Sequence, residues 1–142
     1  MPKKPKKTSL PLKAAPIKAT APPSFQGVSF SFRYLDSHHP KFSVNHKDIH
    51  YLIALLERWR SLCSQTALEL KQSRSPALRC HPIDWDDPKV SESSFGIPNQ
   101  EQLVDIPYQI AISANEHGRL HGFFIKEVFY VVWMDPDHNL YP

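Results

Sequence analysis

The sequence predicts an α+β domain: one long amphipathic helix packed on a mainly antiparallel sheet of four or five strands, preceded by a disordered basic N-terminal tail. Three observations carry this reading. Apolar residues recur at spacings of three and four through residues 46–72, alternating or continuous apolar runs mark the other elements, and the first 24 residues are rich in lysine and proline.

The tail, residues 1–24, holds Lys3, Lys4, Lys6, Lys7, Lys13 and Lys18 and no acid, interleaved with six prolines. Such a composition cannot bury enough apolar surface to offset its ordering entropy, so disorder is expected. The formal charge of +3 hides the division, because the remaining 118 residues set 11 basic side chains against 14 acids. A polycationic tail adds affinity for nucleic-acid phosphates through counterion release, and a solubilising leader is the alternative.

The remainder, residues 25–142, is expected to form a single domain. Residues 28–35 alternate, with Val28, Phe30, Phe32 and Tyr34 on one side and Ser29, Ser31 and Arg33 on the other, as a half-buried strand does. Asp36 to Pro40 is turn chemistry, and Asn45 is placed to cap the following helix. Ile49, Leu52, Ile53, Leu56, Trp59, Leu62, Cys63, Ala67 and Leu70 form its predicted core stripe. His50, Glu57, Arg58, Arg60, Gln65, Glu69 and Lys71 form the solvated face. A short strand is expected at 77–83, then an irregular excursion over 84–104 that exposes Trp85 and Phe95, then a strand at 107–113. Residues 119–125 and 128–134 make a closing hairpin around Lys126 and Glu127. The second arm is almost wholly β-branched or aromatic, which suits burial on both faces, and Asp135-Pro136 ends it.

No apolar run approaches the roughly 20 residues of a spanning helix, and no apolar segment follows the N-terminal lysines. A cytoplasmic protein is therefore expected, with no membrane partner. Cys63 and Cys80 are too few for a disulfide scaffold and lack metal spacing.

The element order, and above all Arg119, Leu120 and Gly122, then Phe129 to Trp133, then His138 and Tyr141, resembles the RelE/YoeB/ParE toxin superfamily of bacterial toxin–antitoxin systems. The likeness in motif covers residues 107–142, and residues 28–83 share topology alone. It implies ribosome-dependent mRNA cleavage, or action on gyrase for ParE-type members, and a cognate antitoxin as partner. Metal-free RNA cleavage activates a ribose 2′-hydroxyl, stabilises a phosphorane and protonates a leaving oxygen, so it needs no cofactor. His138 suits the acid or base role, Arg119 a phosphate clamp and Tyr141 stacking or orientation. Arg79 and His81 share one side of their strand, and His121 shares a face with Arg119, which makes them further catalytic or RNA-binding candidates beside Lys3, Lys4, Lys6 and Lys7.

Each candidate has a structural alternative. His138 is a turn histidine if it bonds Asp135, and Arg119 is structural if it pairs with Glu116 or Glu127. Two further function classes stand beside the endoribonuclease: a metal-dependent enzyme using Asp84, Asp86 and Asp87 with Asp135, Asp137 and His138, and a non-catalytic nucleic-acid- or protein-binding module. Deleting residues 1–24 should leave the thermal midpoint unchanged while flattening the salt dependence of RNA binding. An unchanged slope in a filter-binding titration would show the tail to be a bystander.

Overall fold

A computed structural model describes residues 27–113 and 116–142. The tail lies outside them. A five-stranded mixed sheet carries the fold, in the order β1-β5-β4-β3-β2. Its strands are β1 (Ser29–Ser31), β2 (His81–Pro82), β3 (Pro107–Ala111), β4 (Arg119–Ile125) and β5 (Val128–Asp135), with helices α1 (Ile49–Leu62), α2 (Ala67–Gln72) and α3 (Gln100–Leu103) between them. β1 runs parallel to β5, and the other three pairings are antiparallel.

The expected helix over 46–72 is two helices. Asp48, not Asn45, caps α1: its Oδ1 accepts from the backbone N of His50 at 3.0 Å and of Tyr51 at 3.4 Å. The break before α2 is a capping box, with Thr66 Oγ1 accepting from Glu69 N at 3.2 Å and the Thr66 hydroxyl reaching Glu69 Oε1. Glu127 Oε2 accepts from Ala67 N at 2.8 Å, so the β4–β5 turn fixes where α2 begins. β1 enters past the end of α1, where Val28 N donates to Gln65 O at 2.8 Å. A Cβ on Gly27 would lie 1.7 Å from Cys63 O, so the crossing requires glycine.

Both faces of the sheet are covered. On the helix side Tyr51, Leu55, Leu62, Ala67 and Leu70 pack on Val28, Ile110, Ile112, Leu120, Phe129 and Val131. On the other side the described residues supply no helix of length, and loops bring Phe42, Ile83, Phe95 and Leu140 against Phe123, Val132 and Trp133. A bulge between His121 and Gly122 of β4 lets Val132 and Trp133 of β5 both join this second core. Gly122 is required there, since a Cβ would lie 2.0 Å from Tyr130 O.

The predicted core stripe of α1 is rotated. Ile49, Leu52, Ile53 and Leu56 are 46–60% exposed, and Cys63 is exposed too. The buried face is Tyr51, Leu55 and Leu62, with Trp59 half-buried against Phe30 and Phe32 at ring distances of 6.0 and 5.0 Å. Apolar side chains surround the first two turns, so periodicity could not choose the face. Arg58, expected in solvent, ties α1 to the sheet by donating to Ile112 O at 2.8 Å and Ala77 O at 3.0 Å. The strand expected over 28–35 is Ser29–Ser31, and that over 77–83 is His81–Pro82. Phe95, expected to be exposed, is buried, and Trp85 is half-buried beside it. Among the described residues no helix is long and apolar enough to cross a membrane.

Leu55→Ala should therefore cost about 2–5 kcal/mol in urea denaturation, whereas Leu52→Ala should stay within roughly 0.5 kcal/mol. Equal losses would contradict the assignment of faces.

Candidate active site

Register across the sheet builds a polar patch on the loop-covered face. His81 of β2 lies opposite Gln109 of β3, and Gln109 opposite His121 of β4. In the adjacent row Ala111 lies opposite Arg119, and Arg119 opposite Asp135 of β5. Arg79 precedes β2, where Leu78 O accepts from Ala111 N at 2.8 Å.

The centre of the patch is the pair His121 Nε2 and Asp135 Oδ2 at 3.0 Å, with side chains 0% and 1% exposed. Burial, acting against the Asp135 hydrogen bond and charge, lowers the His121 pKa and keeps the ring neutral. The neutral ring donates from Nε2, which leaves Nδ1 buried and unpartnered. Burial alone would raise the Asp135 pKa, but the bonds from His121, Asn139 N and Leu140 N hold the carboxyl below its ordinary value.

Those last two bonds shape the C-terminus. Asp135 Oδ1 accepts from Asn139 N at 2.7 Å and Oδ2 from Leu140 N at 3.0 Å, which folds the chain back and buries Leu140. Ser91 clips the returning segment by donating from its backbone N to Leu140 O at 2.8 Å and from Oγ to Asn139 O at 2.7 Å. His138 sits at the apex with φ +58°, and the Tyr141 ring comes to rest edge-on 5.8 Å from His81.

Electrostatic coupling joins Arg79, Arg119 and His138. Burial lowers the Arg119 pKa first, and Arg79 lowers it further while Asp135 opposes. Burial likewise lowers His138, followed by Arg119, with Arg79 acting in the same direction and Asp135 and Asp137 against it. Arg119 is 5% exposed and donates from one terminal nitrogen to Gly118 O at 3.0 Å and Ser113 O at 3.3 Å. It pairs with neither Glu116, which lies against His117, nor Glu127, which caps α2. Arg79 is exposed, with φ +44°, and donates from Nε to Pro76 O at 3.0 Å. His81 has both ring nitrogens engaged, Nδ1 with Pro82 O at 2.8 Å and Nε2 with the Gln109 amide nitrogen at 3.0 Å. Burial raises the Tyr141 hydroxyl pKa.

The structure thus brings Arg79, His81, Arg119, His121, His138 and Tyr141 together. Lys3, Lys4, Lys6 and Lys7 lie outside the described residues. The carboxylates considered for a metal do not converge: Asp84 and Asp87 accept from the backbone N of Asp86 and Lys89, and Asp137 pairs with His46 at 2.6 Å and Lys47 at 3.2 Å. Among the described residues no group of three or more His, Cys, Asp or Glu side chains is arranged to hold a metal ion. Gln109 and Ser91 were not singled out from the sequence, because their roles depend on register and on a tail contact. Compared with family models, with curated proteins and with solved structures, the chain matches none.

Asp135→Ala should lower stability by on the order of 3–5 kcal/mol in urea denaturation, because a neutral His121 and two backbone donors lose a buried partner. Loss below about 1 kcal/mol would contradict that role. The pH dependence has one sign. The depressed Asp135 pKa gives stability present above the unfolded value and lost as pH falls through the folded one. The depressed His121 pKa gives stability that is full above about pH 6.5 and falls below it. His121→Gln should flatten the loss of stability on acidification below about pH 6.5.

Proposed function

We propose that this protein is an RNA-cleaving toxin of a toxin–antitoxin or phage-defence system, a metal-independent endoribonuclease acting on mRNA, including mRNA on the ribosome. The observation that supports it most is the placement of Arg79, Arg119 and His138 at one end of the sheet: Ala111 N donates to Leu78 O next to Arg79, Ala111 lies opposite Arg119, and Arg119 lies opposite Asp135, whose carboxylate folds back the turn that carries His138. Asp135, the carboxylate inside the patch, is occupied by His121 and by the backbone amides of Asn139 and Leu140. A phosphate between the guanidiniums would relieve their repulsion.

Roles follow from exposure and proton affinity. Arg79 is the exposed cation and binds the phosphate, while the buried Arg119 adds charge from behind. His138 is half-buried and shifted toward the neutral imidazole, which favours its action as the base that takes the ribose 2′-proton. The 2′-oxygen then attacks phosphorus, the bond to the 5′-oxygen breaks, and that oxygen takes a proton from solvent. Tyr141 offers a ring for stacking beside His81, whose two engaged nitrogens suit orientation better than proton transfer.

A second reading, a non-catalytic binding module, is favoured by the exposed ridge Ile49, Leu52, Ile53 and Leu56 on α1. In the toxin reading a cognate antitoxin covers such a ridge.

His138→Ala and Arg79→Gln should each lower RNA cleavage by about 10²–10⁴-fold, abolish growth arrest and leave the thermal midpoint in place, with EDTA having no effect on the wild type. Wild-type expression that neither slows growth nor creates RNA ends would refute the nuclease. Specific capture of one protein partner without toxicity would then favour the module.

A further inference from the structure

A cleft beside the patch plays no part in the chemistry above. It is an open hollow of about 760 Å³ between Trp85, the loop from Ser93 to Asn99, the short helix α3 and Pro107. Its volume falls within the range of small-molecule sites, roughly 300–1,000 Å³. Resting on the nuclease reading, we propose that this cleft is a base-recognition subsite that selects guanine in the RNA next to the cleaved bond.

Position supports this first. Pro107 lines the cleft, and Gln109, two residues along β3, holds His81. Two residues of strand span about 7 Å, so the cleft begins one short step from the patch. Tyr141 lies beside the interval, with its ring edge-on 5.8 Å from His81.

The lining supplies the second argument. No Lys, Arg or His borders the cleft among the described residues, so it is not built for phosphate. Instead it offers one aromatic, the amides of Asn99 and Gln102, and the carboxylates of Glu101 and Asp105. Trp85 is fixed edge-on by Phe95 at 5.1 Å and Trp133 at 6.1 Å, which holds its indole as a stacking surface. Gln100 is occupied, since its Oε1 accepts from Gly96 N at 3.1 Å, so it shapes the loop rather than reading a ligand. Carboxylates accept from N–H groups and repel the acceptor edges of uracil. Guanine alone among the four bases presents a ring N–H beside an exocyclic amino group, a two-donor edge that a carboxylate accepts in bidentate fashion.

The test uses the full chain and non-cleavable 2′-O-methyl trinucleotides that differ in one base, with binding followed by tryptophan fluorescence. The guanine trinucleotide should bind about tenfold or more tightly than those with adenine, uracil or inosine, which lacks the amino group. Glu101 and Asp105 are exposed, so the variant E101Q/D105N should fold normally and bind the guanine trinucleotide no more tightly than the uracil one. Equal affinity for all four trinucleotides, or a preference that survives in the variant, overturns the subsite. The nuclease reading is scored separately by cleavage of unmodified RNA: cutting with no base preference sinks the subsite alone, and a preference without cutting sinks the nuclease alone.

Discussion

The hydrogen bond between His121 and Asp135 is the constraint on which the loop-covered half of the molecule depends. A carboxylate that is 1% exposed must find donors, and Asp135 finds three: one imidazole and two backbone amides. The imidazole belongs to the neighbouring strand, so the bond fixes the register of the β4–β5 hairpin at its open end. The amides belong to the residues that follow β5, so the same carboxylate turns the chain and lays Leu140 and Tyr141 over the sheet. One buried charge thus supplies the order that a C-terminus ordinarily lacks.

The second core makes sense in this light. The helices α1 and α2 cover one face, and among the described residues no comparable element covers the other. Loops close it with aromatic rings: Phe42 stacks on Trp133 at 4.4 Å, and Phe95 and Trp85 meet Trp133 edge-on. Rings bury much area for few torsions, so short irregular segments can hold a packed layer. Such a layer tolerates polar groups at its margin, where Arg119, His81 and His138 gather. Arg119 is buried there with its guanidinium bonded to two backbone carbonyls, and among the described residues it makes no ion pair.

The hairpin, the β3 strand and the α+β class were legible because each rests on a local pattern that survives folding. The capping box at Thr66 and Glu69 was equally present in the sequence, yet the apolar stripe runs across it and masks the break. The rotated face of α1 was illegible for a physical reason, since both candidate faces of its first two turns are apolar and tertiary packing decides. Site residues were named one by one, but the bond that organises them was not. Counting outward from the Lys126–Glu127 turn places His121 opposite Val132 and leaves Asp135 on the other face. The bulge at His121/Gly122 adds one residue and brings His121 opposite Trp133, with Asp135 on the same side. Period-two reasoning loses the face at every bulge, and here the bulge created the site.

Separation of the apolar ridge from the polar patch follows from the layers. The ridge of Ile49, Leu52, Ile53 and Leu56 rises from the helix layer, whereas His81, His121 and Trp133 lie under the loops on the opposite face of the sheet. A protein seated on the ridge would therefore meet α1 without first displacing the aromatic lid or the returning C-terminus. The link between the layers is Arg58, which reaches from α1 to the carbonyl of Ile112, one residue beyond β3. Arg119 donates to the carbonyl of the next residue, Ser113. Two guanidiniums, one from each layer, thus hold adjacent carbonyls of a single segment. A displacement of α1 would therefore bear on Arg119 through one residue of shared backbone as well as through the core.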